Sequence, residues 1–489
     1  MTATFSLALG NSPVILKQLL IALFLMLAEP APAFDREPWT HFPNMNSVTA
    51  LAEGSQYVYV GTEGGIRRFD IYGERWHRPL TVLDGLPDNR IRAIAYDART
   101  GELWMDTPSG AARWLTRLES VSYFGDDPPP RPPPATIPPI YMPFGFFIEG
   151  GWIQGPRRSY PITATMMDTW QSLWIGTGGL GVGKANMTDR QLEFHAFGPL
   201  DENITAMARD GDSIWFGGRG VYGLREQGIT RYHLSTQLWE YFEPEHIMGL
   251  DEARISAILP DSATVWFGAW NGLIRYVRHS EQWITYRLPS RRGVTALARA
   301  GTRVWIGTQA GLAVFDTQAD TIRWVGGSER FAIQAMAAGA GYIWAGTHLG
   351  LFRCPVDDVN WTPVRSPGGL TSRPISGLAT CRDRVWATVE SPSALIHLAA
   401  PDSAWQRFAL AELHGDRHVS IAADTSHVWL ATDLGAFRFD ISTRLWKRYT
   451  QTSGLIDDRT QAVLLQNDYV WFGTEKGASR YDWSQDFFR

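Results

Sequence analysis

A chain of 489 residues with 44% apolar and 19% charged side chains can bury a large core, which excludes an intrinsically disordered or fibrous protein. A formal net charge of −5 over that length does not imply a polyanion partner, so no nucleic acid is expected. Taken in order, residues 1–33 read as a secretory signal. Leu19 to Leu27 is an unbroken apolar run preceded by Lys17, and Ala31-Pro32-Ala33 is an A-x-A cleavage site. The run is too short to span a bilayer, so the expected product is a periplasmic or extracellular protein from Phe34 onward, with no membrane span.

From there the chain repeats one sentence: apolar, Trp, apolar, Gly, Thr, two free residues, Gly, apolar, any, Arg, aromatic, Asp. Val470 to Asp482 reads VWFGTEKGASRYD, Val304 to Asp316 reads VWIGTQAGLAVFD, and Val428 to Asp440 reads VWLATDLGAFRFD. The anchors are Tyr59, Trp104, Trp174, Trp215, Trp266, Trp305, Trp344, Trp386, Trp429 and Trp471. Their spacing stays between 39 and 51 except for one gap of 70, and a period of roughly 40 means a repeat architecture. A short alternating run precedes each sentence (Val294-Thr-Ala-Leu-Ala298) and a run with one aromatic anchor follows it (Leu445-Trp-Lys-Arg-Tyr449). Each repeat is therefore four short strands, a to d, with Gly, Asp and Asn at the turns, which is a β-propeller blade. The Trp of strands b and d fill the widening gap between blades and are core residues, not a sugar-binding stripe. Asp97, Asp168, Asp210, Asp261 and Asp424, at the ends of a strands, make the a–b turns. The Arg recurring in strand c (68, 113, 231, 275, 353, 438, 480) are structural.

Trp39-Thr40-His41-Phe42 has the strand-d pattern but stands before the first strand a, while the last repeat lacks a strand d. The N-terminal strand is thus expected to complete the C-terminal blade, as propellers close. Counting repeats predicts an all-β fold over residues 34–489: a single ten-bladed ring closed by the N-terminal strand. Two smaller rings have the same strand phase, but the even spacing argues against them. The long gap holds an insertion at about 125–161 that starts Asp126-Asp-Pro-Pro-Pro-Arg-Pro-Pro-Pro134, expected as polyproline II. Phe146 to Ile153 reads as a hairpin with a Gly-Gly turn. Cys354 and Cys381 are read as inert thiols in preference to a disulfide.

No nucleophile elbow, zinc-protease helix, Cys/His metal spacing or phosphate loop occurs, so no catalytic residue, metal or cofactor is assigned. His414-Gly-Asp-Arg-His418 is a weak metal motif. Binding is expected at loops on the rigid scaffold. On the face formed by the d–a and b–c loops the candidates are Trp270 with Asn271, His348, Arg219, Tyr222, Arg225, Arg291, Arg292 and Arg330, with Trp152 from the insertion. A flat apolar ring among forked donors suits a sugar or peptide.

The core sentence W-[IF]-G-T-x-x-G-L-x-R-[FY]-D resembles the two-component regulator propeller repeat, and so do the linkers Asp84-Gly-Leu-Pro-Asp-Asn-Arg-Ile91 and Ser453-Gly-Leu-Ile-Asp-Asp458. The resemblance implies a sensor-type propeller. In that family it is commonly the extracytoplasmic part of a hybrid histidine kinase, with paired seven-bladed rings, a β-sandwich, a membrane helix and a kinase. Here only the repeats are found. The expectation is an exported, non-enzymatic binding or sensor module for a small molecule or an oligosaccharide such as a cell-surface glycan. The alternative is an interaction scaffold for another cell-envelope protein. A propeller-type polysaccharide lyase or hydrolase ranks below both, because Ala/Thr-rich inner strands supply no acid–base cluster.

Overall fold

Ten antiparallel sheets account for the repeats, and the core sentence explains how each forms. The structure is a computed structural model that describes residues 38–122, 133–156, 158–220, 228–244, 247–288, 293–390, 393–399, 405–410 and 418–484. The expected signal sequence, most of the Pro-rich run and His414 of the weak metal motif lie outside the described residues.

In blade 10 the strand-b Trp471 is fully buried and pairs directly across from Arg480, whose guanidinium lies 5.6 Å from the indole centre. The same cross-strand Trp–Arg pair recurs as Trp215–Arg231, Trp266–Arg275, Trp344–Arg353 and Trp429–Arg438. The strand-c arginines are therefore structural, as the sequence indicated. In blade 8 His397 takes the Arg place and stacks on Trp386 at 4.1 Å. The Asp at the a–b turn accepts turn N–H groups and the indole N–H as well: Trp174 Nε1 donates to Asp168 at 2.8 Å and Trp266 Nε1 to Asp261 at 3.2 Å. Burial pushes the Asp261 carboxyl up, but donors from Ala263, Thr264, Arg299 and Trp266 outweigh it and hold the group at about 2. The Thr hydroxyl closes the b–c turn: Thr474 Oγ1 donates to the Gly477 carbonyl at 2.9 Å, and Gly477 takes a φ of +112° that favours glycine.

The motif's first Gly sets who neighbours whom. A Cβ on Gly217 would lie 2.6 Å from Ile255 of the next blade. The corresponding approaches are Gly268 to Val294 at 2.5 Å, Gly307 to Ile333 at 2.6 Å and Gly346 to Ile375 at 2.7 Å. Gly473 of blade 10 makes the same approach, at 2.7 Å, to Ile204 of blade 4. The inner strands of blades 4 to 10 accordingly contact one another in a closed circuit, with Ile204–Asp210 against Thr460–Gln466. Ile214, Phe216 and Tyr232 of blade 4 share a core with Trp471 and Ala478 of blade 10.

This corrects the expected ten-bladed ring. The chain builds one closed ring of seven blades, and blades 1 to 3 form a separate stack in the order 3-1-2. In that stack Gly176 of blade 3 meets Val48 of blade 1 at 2.6 Å, and Gly61 of blade 1 meets Ile91 at 3.0 Å. Blade 2 has Asp106 at the Gly position, and Asp106 is exposed. Even spacing predicts that every repeat is a blade, but it leaves open which blade is its neighbour. The two chain crossings between stack and ring run side by side. Met45 N–H donates to Phe197 O at 3.0 Å and Phe197 N–H to Asn46 Oδ1 at 2.7 Å, while the half-buried Arg67 covers the Phe197 ring.

The insertion is part of the stack. Phe147–Glu149 and Trp152–Gln154 form the expected hairpin, with Gly150 and Gly151 at φ +58° and +81°. The hairpin joins Ser159–Met167, so blade 3 is a six-stranded sheet where four strands were expected. Ile137, Ile140, Met142, Phe146 and Ile148 pack over Leu173, Ile175 and Leu192, the side of blade 3 away from blade 1. A propeller blade needs cover on both faces, and here the insertion supplies the second cover.

Closure by the N-terminal strand is as the sequence indicated: Trp39–Phe42 pairs antiparallel with Gly477–Asp482, Trp39 opposite Tyr481. His41 of that strand is buried, with Nε2 2.8 Å from the Gly454 carbonyl. Burial lowers its pKa to about 4, against an ordinary value of 6.5; the Gly454 bond opposes the shift. A depressed histidine leaves the folded state binding fewer protons between these values. Its contribution is complete above about pH 6.5 and is lost as pH falls toward 4, roughly 3 kcal/mol over the window. His397, also buried and lowered to about 4, adds to the loss. Urea midpoints at pH 7.5 and 5 should drop less in His41→Gln than in the parent; an equal drop would remove His41 from the account.

Cys354 is buried, Cys381 half-buried, and both are free. Burial pushes the Cys354 thiol up to about 11, so it is an unreactive packing group.

Candidate binding site at the mouth of the channel

The seven inner strands enclose a central channel of about 1150 Å³. Its walls are the residues that alternate inward on strand a: Thr205, Ser256, Thr295, Ser376 and Ser420, with Ala, Met and aliphatic neighbours. The hydroxyls stitch blades together. Thr295 Oγ1 donates to Ile333 O of the next blade at 2.7 Å and Thr205 Oγ1 to Ile255 O at 2.5 Å, while Ser376 Oγ lies 3.0 Å from Thr388 Oγ1 of its own blade. Among the described residues the strand-a wall of the channel is built of hydroxyl, amide and apolar side chains.

The chemistry lies at the mouth. The residue four places after each strand-b Trp starts the b–c loop, and in six of the seven ring blades it lines the channel. These residues are Arg219, Trp270, Gln309, Glu390, Asp433 and Glu475, in blades 4, 5, 6, 8, 9 and 10. His348 holds the place in blade 7, where its Nδ1 accepts the Ala332 N–H at 3.3 Å. Arg254, just ahead of strand a in blade 5, completes the lining beside Trp270.

Trp270 is a fixed platform. Its backbone N–H donates to Arg254 O at 3.2 Å, and the Arg254 guanidinium lies 5.1 Å from the ring centre. The other support is Gly293, where a Cβ would fall 3.0 Å from the indole; the lack of a side chain lets the ring rest on backbone. The indole is still 45% exposed. The Asn271 side-chain oxygen is buried with no donor among the described residues.

The charges sit on opposite arcs. Arg219 and Arg254 flank Trp270 in blades 4 and 5. Glu390 and Asp433 belong to blades 8 and 9. Glu475, next to the basic arc, is answered by Arg459 at 2.8 Å and by Gln461 at 3.4 Å. Among the described residues no hydrogen bond or ion pair engages the carboxylates of Glu390 and Asp433 or the guanidinium of Arg219.

The structure thus gathers Trp270 and Arg219 at the mouth, with Asn271 beside it and His348 in the matching register. Arg330 does not line the channel; its guanidinium lies over the Phe331 ring at 5.1 Å. Trp152 does not line it either: it is 45% exposed on the blade 3 hairpin, in the stack and not the ring. Tyr222, Arg225, Arg291 and Arg292 fall outside the described residues. Glu390, Asp433, Glu475, Gln309 and Arg254 are the site residues that sequence reasoning missed. Among the described residues no group of three or more His, Cys, Asp or Glu is arranged for a metal, and no helix is long and apolar enough to cross a membrane.

Neither a protein-family model nor a curated protein matches the sequence. Among solved structures the chain is similar to PorZ, an essential surface component of the type-IX secretion system of Porphyromonas gingivalis. The identity is 12%, with 91% of this chain and 87% of that one covered, at a TM-score of 0.61. The extracellular domains of two hybrid two-component systems of B. thetaiotaomicron also align. One is 15% identical over 90% of this chain and 69% of that one, at a TM-score of 0.49; the other is 14% identical over 89% and 69%, at 0.47. At such identities the PorZ likeness is one of fold.

Proposed function

We propose that the chain is an exported, non-enzymatic binding module, of the sensor type, that takes a small ligand or oligosaccharide such as a cell-surface glycan at the mouth of the seven-bladed ring. The observation that carries this reading is Trp270: a half-exposed indole fixed between Arg254 and the Gly293 backbone, at the opening of a channel ringed by polar side chains. A rigid aromatic face with donors around it binds a sugar ring at little entropic cost. The resemblance of the repeat to sensor propellers supports the same reading, and the N-terminal signal pattern supports export.

The test is a glycan array with residues 34–489 beside Trp270→Ala. Saturable binding to one glycan class is expected, weakened roughly tenfold to a hundredfold in the variant. The substitution removes a half-exposed ring and should leave the unfolding midpoint nearly unchanged. Silence across the array from folded protein would end the glycan reading.

A second reading, an interaction scaffold in the cell envelope, is favoured by one observation: the PorZ-like fold extends over nearly the whole of both chains. Deleting the insertion is a poor probe of it, because residues 137–148 cover the blade 3 core.

A further inference from the structure

We infer that the mouth selects a dipolar saccharide, one carrying both ammonium and carboxylate groups, with the cation toward Glu390 and Asp433 and the anion toward Arg219 and Arg254. The inference rests on the mouth being the binding site and adds the chemistry of what it takes.

The charges at the mouth are segregated. Round the ring the lining residues run basic and aromatic in blades 4 and 5, neutral in blade 6, then acidic in blades 8 to 10. In a seven-membered circuit, blade 5 faces blades 8 and 9 across the channel. The one acidic position beside the basic arc, Glu475, is already neutralised by Arg459. The two acids on the far arc make no hydrogen bond or ion pair among the described residues, although Arg459 lies within electrostatic reach of Asp433, and Arg219 belongs to another blade. Elsewhere the strand-c arginines lie on tryptophan faces, so an exposed guanidinium at the mouth departs from the structural pattern.

A channel walled by Ala, Thr and aliphatic residues has a low dielectric, which focuses the field of such arcs along the line joining them. A polyanion would be repelled by Glu390 and Asp433, and a polycation by Arg219 and Arg254. A neutral sugar would stack on Trp270 and use neither arc. Only a ligand with both signs engages all three, and opposed like-charge repulsion is how a site rejects near analogues.

Four tetrasaccharides of equal length test this by titration calorimetry on residues 34–489. They alternate glucuronate with glucosamine (both charges), alternate glucuronate with N-acetylglucosamine (anionic), or are homotetramers of glucosamine (cationic) and N-acetylglucosamine (neutral). The doubly charged one should bind at least roughly tenfold more tightly than the others, the range of one charge-assisted contact. The pair Glu390→Gln with Asp433→Asn should erase its lead over the anionic form. Arg219→Gln should erase its lead over the cationic form. Arg219 and Asp433 are exposed and Glu390 is half-buried, and circular dichroism checks the fold. Equal binding of all four, lost in Trp270→Ala, would overturn the dipolar inference and leave the binding reading standing. No binding of any of the four would overturn the inference, with the array deciding the reading separately.

Discussion

Trp39→Ala should lower the free energy of unfolding by about 3–5 kcal/mol, although Trp39 belongs to a strand of only four residues at the start of the folded body. The strand Trp39–Phe42 is the fourth strand of blade 10, so its side chains join the two ends of the chain. The Trp39 ring lies 4.5 Å from Tyr481, 6.0 Å from Tyr449 and 6.1 Å from Phe472, spanning blades 9 and 10. Gly454 comes so close to the indole that a Cβ there would lie 2.4 Å from it. Truncation leaves a cavity where neither partner collapses easily, since both are strands of closed sheets. Phe42, at the other end of the strand, reaches Tyr232 of blade 4 at 5.5 Å, so the same strand helps join blade 10 to blade 4. Urea unfolding monitored by tryptophan fluorescence checks the size. The matched control is Trp152→Ala, likewise a strand tryptophan but 45% exposed, which should cost well under half as much. Equal losses would mean that the terminal strand is not a structural closure.

What the sequence made legible was each blade, because the repeat writes local physics. Trp471 must be buried, Thr474 must close a turn, Gly477 must take positive φ, and Arg480 lies where the opposite strand offers an aromatic face. All of these are contacts within one sheet. The order of blades around an axis is a contact between sheets, and the strand phase is the same whichever sheet comes next. One signal was present. Asp106 stands where other blades have Gly, Ala or Thr, and a charged residue there cannot meet a β-branched residue of a following blade. The crossing at 196–203 gave no comparable sign, since its length is that of an ordinary d–a loop.

The site was half legible for the same reason. Trp270 stood out as a tryptophan outside the b and d positions, and Arg219 and His348 as loop residues on one face. Nothing in the sequence singles out Glu390, Asp433 and Glu475 from other loop acids. Their common register, four residues past the strand-b Trp, gains meaning only when seven blades share one axis. Trp152 and Arg330 passed the same loop test yet sit elsewhere, because a shared face of a blade is a weaker condition than a shared mouth.

The circuit itself makes the sharpest prediction. In a ten-bladed ring, blade 10 would be followed by blade 1, so Gly473 would face Val48 and Gly176 would face a blade 4 strand. In the observed circuit Gly473 faces Ile204 and Gly176 faces Val48. Gly473→Ala should therefore cost about 1–3 kcal/mol by overpacking, with its new methyl 2.7 Å from Ile204 Cγ2. Combined with Ile204→Ala, the loss should fall short of the sum by about 1 kcal/mol or more, since the second change removes the obstructing side chain. Part of the cost should remain, because the Ile204 carbonyl oxygen also lies 2.8 Å away. Combined with Val48→Ala, Gly473→Ala should be additive. Gly176→Ala should show the reverse pattern, coupled to Val48→Ala through a contact of 2.6 Å to a side-chain carbon and additive with Ile204→Ala. Four double-mutant cycles in urea thus read the order of the blades directly. Coupling of Gly473 with Val48 would restore the ten-bladed ring, and with it remove the seven-fold mouth on which Arg219, Trp270, Glu390 and Asp433 converge.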